Sequence, residues 1–165
     1  MKKHMMYFTI EELCYSDTAK KYKIDNTPTD EIIENLTEFI ENILNPLREA
    51  WGSAIKVNSG YRCEKLNKKV GGSKTSSHKY GLAVDLKPVN DLIDEFFEFV
   101  KNYFIENDIP FDQIIDEHSG DKHWVHIGYK NSKGEQRKQI KTYDNGKYCL
   151  LKYNNDEKEE LKNED

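Results

Sequence analysis

Apolar residues recur at helical spacing most clearly over residues 27–52. The positions that repeat every three or four residues are Ile32, Ile33, Leu36, Phe39, Ile40, Ile43, Leu44 and Leu47. Thr27 and Pro28 suit the N-cap and the first helical position, and Gly52 suits the end. Because Pro46 lacks a backbone donor, it predicts a kink or a break in this helix.

Two further helices and two irregular segments follow from the same kind of pattern. Thr9 and Glu12 form a capping-box pair that predicts a short helix. Residues 90–107 predict a second amphipathic helix, with Asn90 as its cap. Residues 18–26 are predicted to be a polar connector. The Gly/Ser/Lys-rich segment 67–77 is predicted to be a loop.

Alternation of polar and apolar residues predicts the strands. The predicted strand segments are 54–62, 82–88, 111–118 and 123–130, and 141–153 reads as a hairpin around Asn145-Gly146. Together these elements predict one α+β domain over residues 1–153, with helices flanking a small, mostly antiparallel sheet. Residues 154–165 are rich in acidic residues and are predicted to form a disordered tail.

Charge and length exclude several classes of function. The 165-residue chain has a net charge of −5 and a pI of about 5.6, without a basic cluster, so nucleic-acid binding is not expected. Its apolar runs are too short for a membrane span or a secretory signal. We therefore expect a protein made in the cytoplasm, as a monomer. Three cysteines, Cys14, Cys63 and Cys149, are expected to be free thiols, although one disulfide with one free thiol stays open.

The alternation of side chains along two predicted strands identifies two polar residues as candidate metal ligands. Asp85 and His126 lie on the polar faces of two predicted strands, and they project from the same side if the strands share a sheet. His78 lies at the end of the Gly/Ser loop, within reach of that face. Two imidazoles and one carboxylate with an open position are typical of catalytic zinc. On spacing alone, unrelated surface residues remain the commoner explanation.

The surrounding motifs resemble those of the M15 metallopeptidases, in the pattern of subfamily A. This family contains zinc D-alanyl-D-alanine carboxypeptidases and related peptidoglycan endopeptidases. The similarity extends over about residues 7–130. The residues that carry it are Ser59, Gly60, Tyr61, Arg62, Asn67, Gly71, Gly72, Ser73, Ser76, His78, Gly81, Ala83, Asp85, Trp124 and His126. The resemblance implies a fold like that of the D-alanyl-D-alanine peptidases and the hedgehog signalling domain.

The resemblance also implies roles for individual residues. His78, Asp85 and His126 match the zinc ligands of the family. Arg62 matches the arginine that holds substrate and stabilises the tetrahedral intermediate, and Ser76 matches a serine that orients the first ligand or the substrate. Gln113 and Asp112 match positions that shape the groove or hold a ligand histidine, and Gln113 is predicted to bind substrate.

The general base has two candidates. Glu117 lies at the end of the strand predicted over residues 111–118, where the most similar members of the family have a glutamate. His123 lies three positions before His126, where many relatives carry an acid instead. Parity places His123 on the opposite strand face, so Glu117 is preferred. In this role Glu117 accepts a proton from the attacking water.

The implied function is zinc-dependent hydrolysis of peptidoglycan stem peptides. The enzyme is expected to be a D-alanyl-D-alanine carboxypeptidase or an endopeptidase, of the bacteriophage lysin type, that acts on the cell wall after release from the cytoplasm. A zinc-containing but inactive binding module of the same fold is the main alternative. A metal-dependent nuclease, which the acidic charge opposes, and a zinc-free scaffold are two others.

Overall fold

The computed structural model describes residues 7–153. The predicted acidic tail at 154–165 lies outside the described residues. The helices are α1 (Ile10–Cys14), α2 (Asp17–Lys21), α3 (Asp30–Phe39), α4 (Asn45–Trp51), α5 (Glu64–Lys69) and α6 (Ile93–Glu106). The strands are β1 (Ile55–Ser59), β2 (Ala83–Pro88), β3 (Gln113–Ser119), β4 (Lys122–Gly128), β5 (Gln139–Asp144) and β6 (Lys147–Leu151).

The six strands described over residues 7–153 form one mixed sheet in the order β1-β2-β4-β3-β5-β6. Within that range β3 and β5 run parallel, and the other neighbouring strands are antiparallel. Asn145 and Gly146 form the predicted two-residue turn between β5 and β6, both with positive φ angles. The predicted α+β class with a mostly antiparallel sheet is therefore confirmed.

The N-terminal segment contains one helix that we did not predict. The capping box at α1 is confirmed, because Thr9 accepts from the backbone N–H of Glu12 and the Glu12 carboxylate accepts from that of Thr9. The predicted polar connector, however, begins within α2. Ser16 caps this helix by accepting from the backbone N–H of Ala19. Ala19 is buried against Leu66, and this packing stabilises a helix too short to form alone.

The long helical segment begins later than predicted and changes its pitch. Thr29, not Thr27, caps α3, because the Thr27 hydroxyl donates to Asp25 instead. The backbone does not leave the helical conformation at Pro46. Instead, the hydrogen-bond pattern changes before it to a π-helical turn over Ile40–Leu44, after which α4 begins with Pro46 in its first turn. A π-turn of this kind supplies hydrogen bonds to carbonyls just before a proline that cannot donate.

Two other predicted boundaries were wrong. The predicted loop begins only after α5, whose N-terminus is capped by the Cys63 sulfur accepting from the backbone N–H of Leu66. Asn90 does not cap α6. Its side chain accepts from the backbone N–H of Leu92 in a turn before the helix begins. At Asn90 a short-range hydrogen bond replaces the expected helix cap, whereas α5 is a helix that was not predicted.

The two faces of the sheet have different roles. One face packs against the helices through fully buried apolar side chains, which are Val84, Leu86, Ile114, Val125, Ile127 and Ile140. Each such side chain contributes on the order of 1.5–3 kcal/mol on burial. The opposite face carries Asp85 and His126 and forms the floor of a groove. No helix among the described residues is long and apolar enough to span a membrane.

Candidate active site

Asp85 and His126 occupy directly opposed positions on the antiparallel strands β2 and β4. Nδ1 of His126 lies 2.9 Å from Oδ1 of Asp85, and Nε2 of His78 lies 3.3 Å from Oδ2. One ligand atom from each of the three residues lies within 4.8 Å of the other two. The structure thus brings together the three residues that were predicted to ligate zinc.

A hydrogen bond to the backbone fixes the imidazole of His78. Its Nδ1 lies 2.7 Å from the carbonyl oxygen of Gly60. Because a carbonyl only accepts, Nδ1 carries the proton and the lone pair of Nε2 is directed toward Asp85. This is the tautomer that a metal ligand requires, and such an outer hydrogen bond is typical of ligating histidines.

Glycine at position 60 allows the backbone to pass close to Leu13 while its carbonyl oxygen contacts His78. A Cβ at this position would lie 2.2 Å from the carbonyl oxygen of Leu13. Just before it, a bulge in β1 places Ser59 opposite Asp85 after Val57 has paired with Leu86. The bulge changes which face the following residues point to. It therefore turns the segment that carries Arg62 toward the groove.

Arg62 lies beside the cluster, and the hydrogen-bond donors of its guanidinium are only partly satisfied. Nη1 and Nη2 lie 3.4 Å from the hydroxyls of Ser59 and Ser76, respectively. Its buried Nε has no hydrogen-bond partner among residues 7–153. Burial lowers the pKa of Arg62, and the charges of Asp85 and Glu117 oppose that shift. A buried guanidinium whose contacts are long and incomplete is suited to bind a carboxylate or an oxyanion.

Ser76 links Arg62 to His78. Its hydroxyl accepts from the backbone N–H of His78 at 3.2 Å and caps the short 3₁₀ turn Ser77–Tyr80. The same hydroxyl contacts Nη2 of Arg62. The backbone N–H of Arg62 in turn donates to the carbonyl of His78 at 3.0 Å. These bonds hold the arginine and the histidine in a fixed relation.

Glu117 points into the groove from β3. Its Oε1 lies 3.8 Å from Nδ1 of His126, and its side chain is 16% exposed. Burial raises the pKa of Glu117 to about 7, with a further increase from Asp85 and decreases from His126 and Arg62. A carboxyl group with such a pKa can exchange protons near neutral pH.

Charge pairing controls the protonation of the three clustered residues. Burial alone would raise the pKa of Asp85, but the two histidines lower it far below the ordinary range. Burial lowers the pKa of His78. The pKa of His126 is raised, because its hydrogen bond and charge interaction with Asp85 outweigh the effect of burial. An ionised carboxylate between two imidazoles is well suited to bind a cation.

The groove has a volume of about 800 Å³ and extends beyond the cluster on two sides. One wall is the loop after α5, which Asn67 fixes by donating to the carbonyl of Ser73 at 2.9 Å. The other wall includes Lys141, Tyr143 and Tyr148 from β5 and β6. Sequence reasoning missed this second wall, because alternating residues in a hairpin give no signal of which sheet edge they join.

Of the three other residues singled out in the sequence, His123 lies away from the groove, whereas Gln113 and Asp112 line it. His123 lies on the opposite face of the sheet, where its Nε2 contacts Asp116. Gln113 lines the groove and donates to Gln139 at 3.0 Å. Asp112 is buried and accepts two hydrogen bonds from the Arg137 guanidinium, at 2.8 and 3.0 Å, so it does not hold a ligand histidine.

A family model described as Peptidase M15 matches residues 6–128. The chain belongs to the peptidase M15 family. No curated protein matches the chain. The match includes β1–β4 and every residue of the cluster, whereas β5 and β6 lie beyond it.

Membership makes the chain a peptidase of a metal-dependent family. The residues present fit a metal, because the cluster offers two imidazole nitrogens and an ionised carboxylate whose ligand atoms lie within 4.8 Å of one another. Such mixed imidazole and carboxylate donor sets suit divalent transition metals. A general base candidate and an incompletely hydrogen-bonded arginine lie beside the cluster, as peptide hydrolysis requires.

Proposed function

We propose that this M15 peptidase is a zinc enzyme that hydrolyses peptide bonds in peptidoglycan stem peptides. It acts either as a D-alanyl-D-alanine carboxypeptidase or as an endopeptidase, and its substrate class makes the cell wall its place of action. The proposal extends to the fold, which we assign to the type shared by D-alanyl-D-alanine peptidases and the hedgehog domain. The observation that carries it is the convergence of His78, Asp85 and His126 beside a carboxyl group with a near-neutral pKa.

In this proposal His78, Asp85 and His126 hold the zinc. When bound there, zinc supplies Lewis-acid activation of the attacking water and of the scissile carbonyl. Glu117 accepts the proton of that water and then donates it to the leaving amine. Burial raises the pKa of the Glu117 carboxyl, which strengthens it as a proton acceptor.

Arg62 serves as the anion-binding group. Its partly unsatisfied guanidinium is suited either to the terminal carboxylate of a stem peptide or to the oxyanion of the tetrahedral intermediate. Ser76 positions Arg62 through the contact at 3.4 Å. Gln113 and the second wall of the groove contact the remainder of the substrate.

His123 is not the base in this proposal. Its imidazole pairs with Asp116 on the face of the sheet away from the groove, whereas the substrate binds on the Glu117 face. A proton transfer by His123 would require it to pass through the sheet. Glu117 is therefore the base that the geometry supports.

The test is hydrolysis of purified muropeptides, followed by mass spectrometry of the products. We expect chelation to abolish cleavage and added Zn²⁺ to restore it. His126→Ala is expected to prevent restoration, because one nitrogen donor is lost. Loss of D-alanine alone identifies a carboxypeptidase, and a cut within the stem or cross-link identifies an endopeptidase. If the zinc-loaded protein leaves every muropeptide intact, the proposal fails and an inactive zinc-binding module takes its place.

A further inference from the structure

The β3–β4 hairpin carries a second polar cluster on the face opposite to the groove. It consists of Asp116 and His118 on β3 and of His123 on β4. His118 and His123 are directly opposed, and Asp116 lies two positions from His118 on the same face of the strand. The groove residue Glu117 lies between them in sequence and points the other way. This cluster therefore shares a hairpin with the active site but faces different surroundings.

The three side chains are in mutual contact. Asp116 contacts Nε2 of His123 through Oδ1, and its Oδ2 lies 3.6 Å from Nε2 of His118. The two imidazoles stack with their centroids 3.7 Å apart and their planes inclined by 26°. One ligand atom of each residue lies within 4.8 Å of the others, as in the groove cluster. The donor composition of the two clusters is the same.

The arrangement has the features of a β-sheet metal site. Two donors at alternate positions of one strand and a third on the neighbouring strand project from one face, so a single ion can contact all three. The side chains of Asp116 and His123 are 16% exposed, and that of His118 is 42% exposed. Asp116 and His123 are therefore held by surrounding residues, whereas His118 leaves the site accessible to solvent.

The neighbouring strand β5 adds negative charge beside the cluster. Asp144 pairs with His118 in the parallel β3–β5 register, and its carboxylate accepts from the side-chain amide of Asn145 at 2.8 Å. Lys147 is the residue opposite Asp144 on β6. A cation bound by Asp116 and two neutral imidazoles would thus have a second carboxylate nearby.

We propose that Asp116, His118 and His123 form a second divalent-metal site, separate from the catalytic one. Two imidazoles and a carboxylate favour Zn²⁺ or a similar transition-metal ion over Mg²⁺ or Ca²⁺. The ion would link β3 to β4, because it is bound by His123 on β4 and by Asp116 and His118, the two residues that flank Glu117 on β3. Its role is to hold the hairpin that carries Glu117 and His126, so metal binding is expected to raise the thermal stability of the protein.

The test counts Zn²⁺ by isothermal titration calorimetry in the full chain carrying His78→Ala and His126→Ala. These two substitutions remove the nitrogen donors of the groove cluster only. We expect this protein to bind one Zn²⁺ and to melt at a higher temperature with Zn²⁺ than without it. Adding His118→Ala is expected to abolish both effects. The matched control is Asp121→Asn in the turn of the same hairpin, which should retain them.

Two results would overturn the proposal. One is no zinc binding by the folded His78→Ala, His126→Ala protein, which would make the second cluster a hydrogen-bonded group only. The other is an unchanged zinc isotherm after His118→Ala is added. Circular dichroism checks the fold of each variant. If the double variant does not fold, NMR of the native protein takes its place. Zn²⁺ in excess of one equivalent should then shift the ring signals of His118 and His123, and unshifted signals reject the site.

Zinc binding at the second cluster is measured independently of peptidase activity. A protein that cleaves muropeptides but lacks the second zinc retains the proposed function and loses this inference. If the protein binds the second zinc but cleaves no muropeptide, the second-site inference stands and the proposed function fails. The two proposals rest on opposite faces of the sheet, so each can fail alone.

Discussion

The carboxylate of Glu117 lies 3.8 Å from the Nδ1 atom of His126, on adjacent antiparallel strands. The pairing places an acid next to a candidate metal ligand without making it part of the three-residue cluster. Burial, together with the nearby charge of Asp85, raises the pKa of this carboxyl group to about 7. This separation of a metal-binding group from a proton-transfer group underlies the predictions that follow.

Replacing Arg62 tests the anion-binding role. We expect Arg62→Lys to lower kcat/KM for muropeptides by roughly 10²-fold or more, because an ammonium cannot reproduce the donor fork of a guanidinium. Zinc content should stay unchanged, since Arg62 is outside the cluster. Steady-state kinetics and metal analysis measure the two effects. Arg48→Lys is the matched control, because Arg48 lies over the ring of Tyr7, away from the groove. Equal kinetics for both variants would exclude Arg62 from substrate binding.

Tyr148 tests whether the β5–β6 hairpin contributes to the groove. Its ring is 58% exposed and contacts the ring of Tyr143 at 4.7 Å between centroids. We expect Tyr148→Ala to raise KM roughly 2- to 10-fold with little change in kcat, because an aromatic contact contributes about 0.5–1.5 kcal/mol to binding. Tyr22→Ala, at another exposed tyrosine, is the control. A fall in kcat with KM unchanged would contradict a binding role.

Gly60 should tolerate no side chain. A Cβ there would lie 2.2 Å from the backbone oxygen of Leu13, so Gly60→Ala forces the backbone to move. We expect a loss of about 1–3 kcal/mol in the free energy of unfolding, measured by urea denaturation, and weaker zinc binding because His78 loses its carbonyl partner. Gly120→Ala is the comparison, since its φ is positive but the space around it is open. Native-like zinc affinity in Gly60→Ala would show that the carbonyl does not orient His78.

Cys14 should show an abnormal dependence on pH. Burial and the charge of Glu11 raise the pKa of its thiol to about 11, and the three cysteines are thiols, as predicted. The thiolate is the reactive form, so the alkylation rate of Cys14 by iodoacetamide should still rise about tenfold per unit between pH 9 and 10. Free cysteine should level off over the same range. Peptide mass spectrometry follows the labelling, and a rate at Cys14 that levels off near pH 9 would contradict the raised pKa.

Much of the fold follows from local sequence signals. Alternating residues identified every strand of the described sheet, and Asn145-Gly146 identified the last hairpin. Strand parity placed Asp85 and His126 on one face, and the register pairs them directly. These predictions succeeded because period-two alternation and two-residue turns depend on neighbouring residues only.

The parts that the sequence did not predict depend on contacts between distant residues. Helix α2 is stabilised by packing of Ala19 against Leu66, and the orientation of His78 depends on the carbonyl of Gly60. The bulge in β1 becomes visible only in its register with β2. The side chain of Glu117 was placed on the correct strand, but its raised pKa is a product of burial that no local pattern encodes.

The most direct test of the account is Glu117→Gln, with zinc content and muropeptide hydrolysis measured on the same preparation. We predict native zinc content and a loss of about 10²- to 10⁴-fold in kcat, because the amide cannot accept the proton. Glu64→Gln, at an exposed acid outside the groove, should behave like the native protein. Hydrolysis by Glu117→Gln at a near-native rate would contradict the assignment of Glu117 as the general base.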